Sequence, residues 1–149
     1  MWHTLIKSTL NILIFILLFS SFVYAQDFKE DVIIVGGCKV NVFVAETQKQ
    51  KSSGMLGFTD ESFSKDGMIF VGTVNQKQYY HTVGMKMDIR IMGVNTIGNK
   101  RYKVNNGAVY APPGKRVITV LGDSVFEVPE RLYQQKFKDC LYLKELPNE

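Results

Sequence analysis

Apolar positions along this chain fall in short alternating runs punctuated by glycine, proline and asparagine, and the longest run extends from Tyr80 to Met92. At period two its odd positions are His81, Val83, Met85, Met87, Ile89 and Ile91, and its even positions are Thr82, Gly84, Lys86, Asp88, Arg90 and Met92. Such alternation places one face in a core and the other in water. It predicts one long central strand with His81 at the entry of the apolar face.

The flanking runs are shorter. Asp31–Val35 and Cys38–Ala45, joined by Gly36-Gly37, read as a hairpin, because paired glycines accept the positive φ of a tight turn. Glu46 to Leu56 changes character, and Thr47 can cap a short helix that stops at Gly54 or Gly57. A polar loop follows over Phe58–Lys65, then Asp66-Gly67 turns the chain into a buried strand at Met68–Val71, and Gly72–Gln78 reads as a loop. After Met92, residues Asn95–Asn99 form a hairpin into Lys100–Val104, and Asn105-Asn106-Gly107 suits a primed turn. Ala108–Ala111, the rigid Pro112-Pro113-Gly114 turn and Val117–Leu121 come next, then Ser124–Val128, in which Glu127 alternates outward. Pro129 suits the first turn of a helix over about Glu130 to Lys138, where its missing N–H costs little. Cys140–Leu143 reads as a last strand and Glu145–Glu149 as a frayed tail.

Eight or nine short strands with one or two short helices make a single small α+β, β-rich domain. Its sheet is expected to be closed or nearly closed and mostly antiparallel, since an open sheet of this size would leave edges to protect.

The N-terminus is read apart from the fold. Lys7 precedes the aliphatic and aromatic run Leu10–Phe19, and Val23 and Ala25 stand just before Gln26. Residues 1–25 therefore read as a cleaved secretory signal, with an uncleaved anchor as the alternative. Both place residues 26–149 outside the cytoplasm, in a periplasmic or extracellular setting.

Net charge over the 149 residues is +4, and without Lys7 the remainder holds 17 basic against 14 acidic side chains. These charges are interspersed rather than gathered into a basic patch, so nucleic acid is not an expected partner. Membrane contact is expected only if the N-terminal segment stays uncleaved. In an oxidising compartment Cys38 and Cys140 can pair across about 100 residues, or stay as two buried thiols. The choice depends on whether their Cα atoms approach, which spacing does not reveal.

His81, Met85 and Met87, at His-x3-Met-x-Met spacing on one strand face, would set a nitrogen beside two thioethers, donors suited to cuprous copper. Inward methionines more often fill a core, so no cofactor is expected and copper handling is the alternative. The spacing of Cys38, His81 and Cys140 resembles no zinc motif. A hydrolase would need His81 beside Cys38 or beside a carboxylate. No nucleophile elbow, His-Glu-x-x-His, P-loop or dinucleotide fingerprint is present. Asp88 and Arg90, two apart on the wet face, suit a surface ion pair. With no complete catalytic set, the leading expectation is non-catalytic binding of a small molecule or protein partner through His81, Thr82, Asp88, Arg90 and Glu127.

Four blocks carry a resemblance. They are Gly54-Met55-Leu56-Gly57, Asp66-Gly67-Met68-Ile69-Phe70-Val71, His81-Thr82-Val83-Gly84-Met85-Lys86-Met87-Asp88-Ile89 and Ser124-Val125-Phe126-Glu127-Val128-Pro129. In order and spacing they resemble the bacterial and archaeal domain-of-unknown-function family 192, over about Val40 to Lys144. The resemblance implies an exported, small β-rich fold with short helices and supplies no reaction. Aligned without a gap, Ile89 falls on the family's isoleucine, Asp88 on its proline and Arg90 on its usual aspartate. Either the acid has moved to Asp88 or this chain lacks it.

Overall fold

A computed structural model describes residues 27–72, 76–105 and 107–143, with only the backbone of 76–78. The expected signal over 1–25 and tail over 145–149 lie outside the described residues.

Among the described residues nine strands are present: β1 Lys29–Val35, β2 Cys38–Ala45, β3 Gly67–Phe70, β4 Gln76–Tyr80, β5 Ile89–Gly98, β6 Arg101–Val104, β7 Val109–Ala111, β8 Ile118–Gly122 and β9 Ser124–Pro129. Six close into a barrel in the order β6-β1-β2-β3-β9-β5, because β5 also pairs with β6. β7 pairs with the start of β5, and β4 with β8 forms a separate two-stranded ribbon. The closure matches the expectation, but the sheet is mixed. β1 runs parallel to β6 and β2 parallel to β3. Parallel partners need a crossover between them, and α1, Gln48–Ser53, with the loop after it carries β2 over to β3.

The β1–β2 hairpin forms in the register Val35↔Cys38. Gly36 turns at φ +59°, and a Cβ there would run into the Leu141 carbonyl, so glycine is required twice over. Thr47 caps α1 as expected: its hydroxyl accepts from Gln50 N–H at 3.1 Å, and the Gln50 side chain accepts from Thr47 N–H at 3.1 Å.

The core has two layers. Ile33, Val35, Val40, Val42, Ile69, Met92, Val94, Phe126 and Val128 fill the barrel interior. Its end is closed by α2, Glu130–Leu132, and the π-helical turn Tyr133–Phe137 that continues it. Cys38 and Cys140 form a disulfide across this plug, with Cα atoms 5.3 Å apart and a sequence separation of 102. The outer layer packs Met55, Phe63, Met68, Phe70, Ile89, Ile91, Ile118, Val120 and Val125 against the barrel's outside, beneath α1 and the β4–β8 ribbon.

Two expected strands do not form as read. The central run breaks into β4 and β5, with residues 81–88 as a loop. Thr82, on the presumed wet face, is buried, while Val83, on the apolar face, is 48% exposed. The Thr82 hydroxyl donates to the Pro112 carbonyl at 2.5 Å and accepts from Lys115 N–H at 2.9 Å. Its backbone binds Lys115 and Gly114 at 2.8 and 2.9 Å, and Gly84 turns at φ +85°. These bonds outweigh the alternation, which holds again only from Ile89. Cys140–Leu143 is likewise a set of turns, held by Leu141 N–H to Phe137 O at 3.0 Å and Gly37 N–H to Cys140 O at 2.8 Å. Among the described residues no helix is long and apolar enough to cross a membrane.

Candidate ligand-binding cleft

β9 explains how a carboxylate becomes buried in a domain of this kind. Phe126 and Val128 point into the barrel, so Val125 and Glu127 point out of it. The outward alternation of Glu127 is therefore real, but outside the barrel here means beneath a second layer. Glu127 is only 6% exposed, and no hydrogen bond from a described residue reaches its carboxyl. Burial pushes its pKa up to about 8.

Glu127 forms part of a cleft of about 460 Å³. One wall is the C-terminal end of α1 with Lys51, Met55 and Leu56, and the other is Tyr79, Tyr80, His81 and Met85. Phe70 and Ile89 also line it, with polar Gln48, Ser52 and Ser53 on the α1 side. The Tyr80 ring meets Phe70 edge-on, with centroids 6.0 Å apart. The Tyr80 hydroxyl is also driven well above its ordinary pKa, first by burial and then by the Glu127 charge. A second cleft of about 530 Å³, beside Gly36, Tyr102 and Tyr142, is lined by no acid. What sets the Glu127 cleft apart from the second is a buried carboxyl with a strongly raised pKa among mixed polar and apolar walls, a feature that marks a candidate binding site.

The predicted site residues divide between two places. His81 is exposed at the cleft rim, Met85 is half-buried in its wall, and Glu127 lies inside. Met87 is 3% exposed in the outer core and does not line the cleft, so the three copper donors do not share one face. Among the described residues no group of three or more His, Cys, Asp and Glu side chains could hold a metal. Thr82 anchors the loop that carries His81 and Met85 rather than lining the cleft.

Asp88 and Arg90 are elsewhere, beside the plug. Asp88 accepts from the Tyr110 hydroxyl at 3.1 Å, and its backbone carbonyl accepts from Glu130 N–H at 2.9 Å. Arg90 pairs with Glu130, not with Asp88, and its guanidinium lies 4.7 Å from the Tyr133 ring centroid and 5.3 Å from that of Tyr110. The pairing follows from parity, since Arg90 shares the face of Met92 and points toward the barrel end that α2 closes. Desolvation raises the Glu130 carboxyl's pKa, but hydrogen bonds from Arg90 and Gln134 outweigh it and hold that pKa below the usual range. Cys38, locked in its disulfide inside the barrel, offers no thiol to His81.

Lys51, Met55, Phe70 and Tyr80 were not singled out from sequence. The available signal was Glu127 itself, the single charged residue in a strand otherwise without one, Ser124–Pro129.

No family model matches the chain, and no curated protein matches it. Solved structures do. A candidate transcription regulator from Sinorhizobium meliloti 1021 aligns with TM-score 0.53 and 14% identity, over 74% of this chain and 88% of its own. A protein of unknown function from Novosphingobium aromaticivorans DSM 12444 aligns with TM-score 0.56 and 17% identity, over 76% and 81%. At these identities the likeness is one of fold.

Proposed function

We propose that this chain is an exported, non-catalytic binding domain that holds a small molecule in the cleft between α1 and the His81–Met85 loop. The observation that carries the reading is Glu127, a buried carboxyl that no hydrogen bond from a described residue reaches and that lines an open cleft. Burying such a group is costly, and a ligand able to pair with it would offset that cost. The disulfide supports export, because such bonds persist in oxidising compartments. The closed β-rich fold with short helices agrees with the resemblance to domain-of-unknown-function family 192, and membership in that family is part of the proposal. The surface around His81 is retained from the sequence reading, whereas Asp88 and Arg90 leave it.

A screen of small molecules by thermal shift tests this, using the wild type and Met85→Trp, which fills the cleft. Ligands that stabilise the wild type and not the folded variant support the reading. Ligands that stabilise both equally, or none at all, contradict it. Copper handling is the second reading, favoured by His81 and Met85 lining one cleft. It requires a copper-sized increment in native mass that disappears in His81→Ala. A hydrolase is the third, through His81 and Glu127, and requires turnover that disappears in the same variant.

A further inference from the structure

The Glu127 end of the cleft poses a charge problem. Burial raises the pKa of its carboxyl, and among the described residues no cation pairs with it to offset that burial. Lys51 from α1 and His81 from the following loop line the same cleft without registering on it, Tyr80 from β4 faces it, and apolar Met68 and Ile91 sit opposite on β3 and β5. Buried carboxylates in proteins are ordinarily paired or hydrogen-bonded. Among the described residues, none brings either.

The surroundings suit a cation. Tyr80 and Phe70 place aromatic rings at the cleft, and Tyr79 adds a third. Aromatic faces attract ammonium groups, the more so when water is excluded. Met55, Met85 and Ile89 supply an apolar wall. The volume of about 460 Å³ falls in the range that takes small organic ligands.

We propose that the cleft selects a small organic ammonium ion, its hydrocarbon body against Met55, Met85 and Phe70 and its N–H groups donating to the Glu127 carboxylate beside Tyr80. The proposal rests on the cleft being the ligand site and adds the chemical class of the ligand. It carries a proton balance. Below pH 8 the free carboxyl holds a proton that the cation displaces, so binding releases a proton to solvent and strengthens as pH rises toward 8. A neutral ligand that accepts a hydrogen bond from protonated Glu127 would behave oppositely.

Benzylamine, benzyl alcohol and benzoate share one carbon frame with charges of opposite sign or none, and they form the test. Binding is read from the 13C-methyl signals of Met55 and Met85, and proton exchange from calorimetry in two buffers of different ionisation heat at neutral pH. The expected result is that benzylamine shifts both methyls, releases a proton, and binds about tenfold or more tightly than benzyl alcohol, as a charge-assisted contact should. Glu127→Gln, with Met87 and Met92 signals unchanged, loses that preference. Binding of benzyl alcohol or benzoate in place of benzylamine, or a preference that survives Glu127→Gln, overturns the ammonium assignment and leaves the cleft reading standing. If no probe moves Met55 or Met85, both fall. Should Glu127→Gln not fold, the wild type decides: proton release supports the assignment, and uptake or no exchange overturns it.

Discussion

Arg90 and Glu130 are joined by two hydrogen bonds, Nε–H to Oε2 at 2.6 Å and Nη2–H to Oε1 at 3.1 Å, on side chains about one-fifth exposed. The pair ties β5 to the start of the plug, and the same guanidinium lies 4.7 Å from the Tyr133 ring centroid. A planar fork is needed for both contacts, which lysine does not have. Arg90→Ala should cost about 2–3 kcal/mol, since it leaves a partly buried carboxylate short of its partner. Arg90→Lys should recover only part of that. Urea unfolding of the three proteins measures the series, and equal stability of Arg90→Lys and wild type would refute the geometric argument.

The disulfide closes a loop of about one hundred residues and pins the plug to β2. The Cys38→Ala, Cys140→Ala double variant should lose about 2–5 kcal/mol, the usual range for a native bridge in a small domain. A reductant should lower the melting temperature of the wild type and leave that of the double variant unmoved.

Glu127 makes stability depend on pH. Its folded value of about 8 lies above the ordinary 4.5, so the folded state binds the proton more tightly than the unfolded state. The contribution is fully present below about pH 4.5 and is lost as pH rises through 8. The difference corresponds to on the order of 5 kcal/mol. Glu127→Gln should therefore gain stability relative to wild type as pH rises from 5 to 9, and denaturant midpoints at both ends of that window check the sign.

Thr82 fixes the loop that carries His81 and Met85. Thr82→Val keeps the shape but leaves the Pro112 carbonyl and Lys115 N–H without their hydroxyl partner, at a cost of about 1–3 kcal/mol. Amide exchange should quicken over residues 81–88 and 112–116 and stay slow in the barrel strands.

What was legible in the sequence was local. The Gly36-Gly37 turn, the Thr47 cap, the short strands around Ile69 and Val125 and the outward alternation of Glu127 all follow from neighbours within a few residues. What was not legible depends on partners far along the chain. The break after Tyr80 is made by Thr82 bonding to residues 30 and 33 positions later. The burial of Glu127 depends on β4, β8 and α1 forming a second layer over the barrel, and the parallel pairing of β2 with β3 on a crossover. Arg90 looked solvated because its parity opposed Ile89 and Ile91, yet that parity points it at the plug. Cys38 and Cys140 could be paired only once β2 and the chain end were seen side by side.

The methionines offer the most direct test of the cleft. Met55 and Met85 line it, Met68 lies beside Glu127 across the β3–β9 ladder, and Met87 and Met92 are buried without lining it. In a protein with 13C-labelled methionine methyls, titration with a mixed small-molecule library reports on all of them at once. The expected result is a saturable shift of Met55 and Met85 with Met87 and Met92 unmoved. Shifts confined to Met87 or Met92, or no shift with any compound, would contradict a ligand site at Glu127.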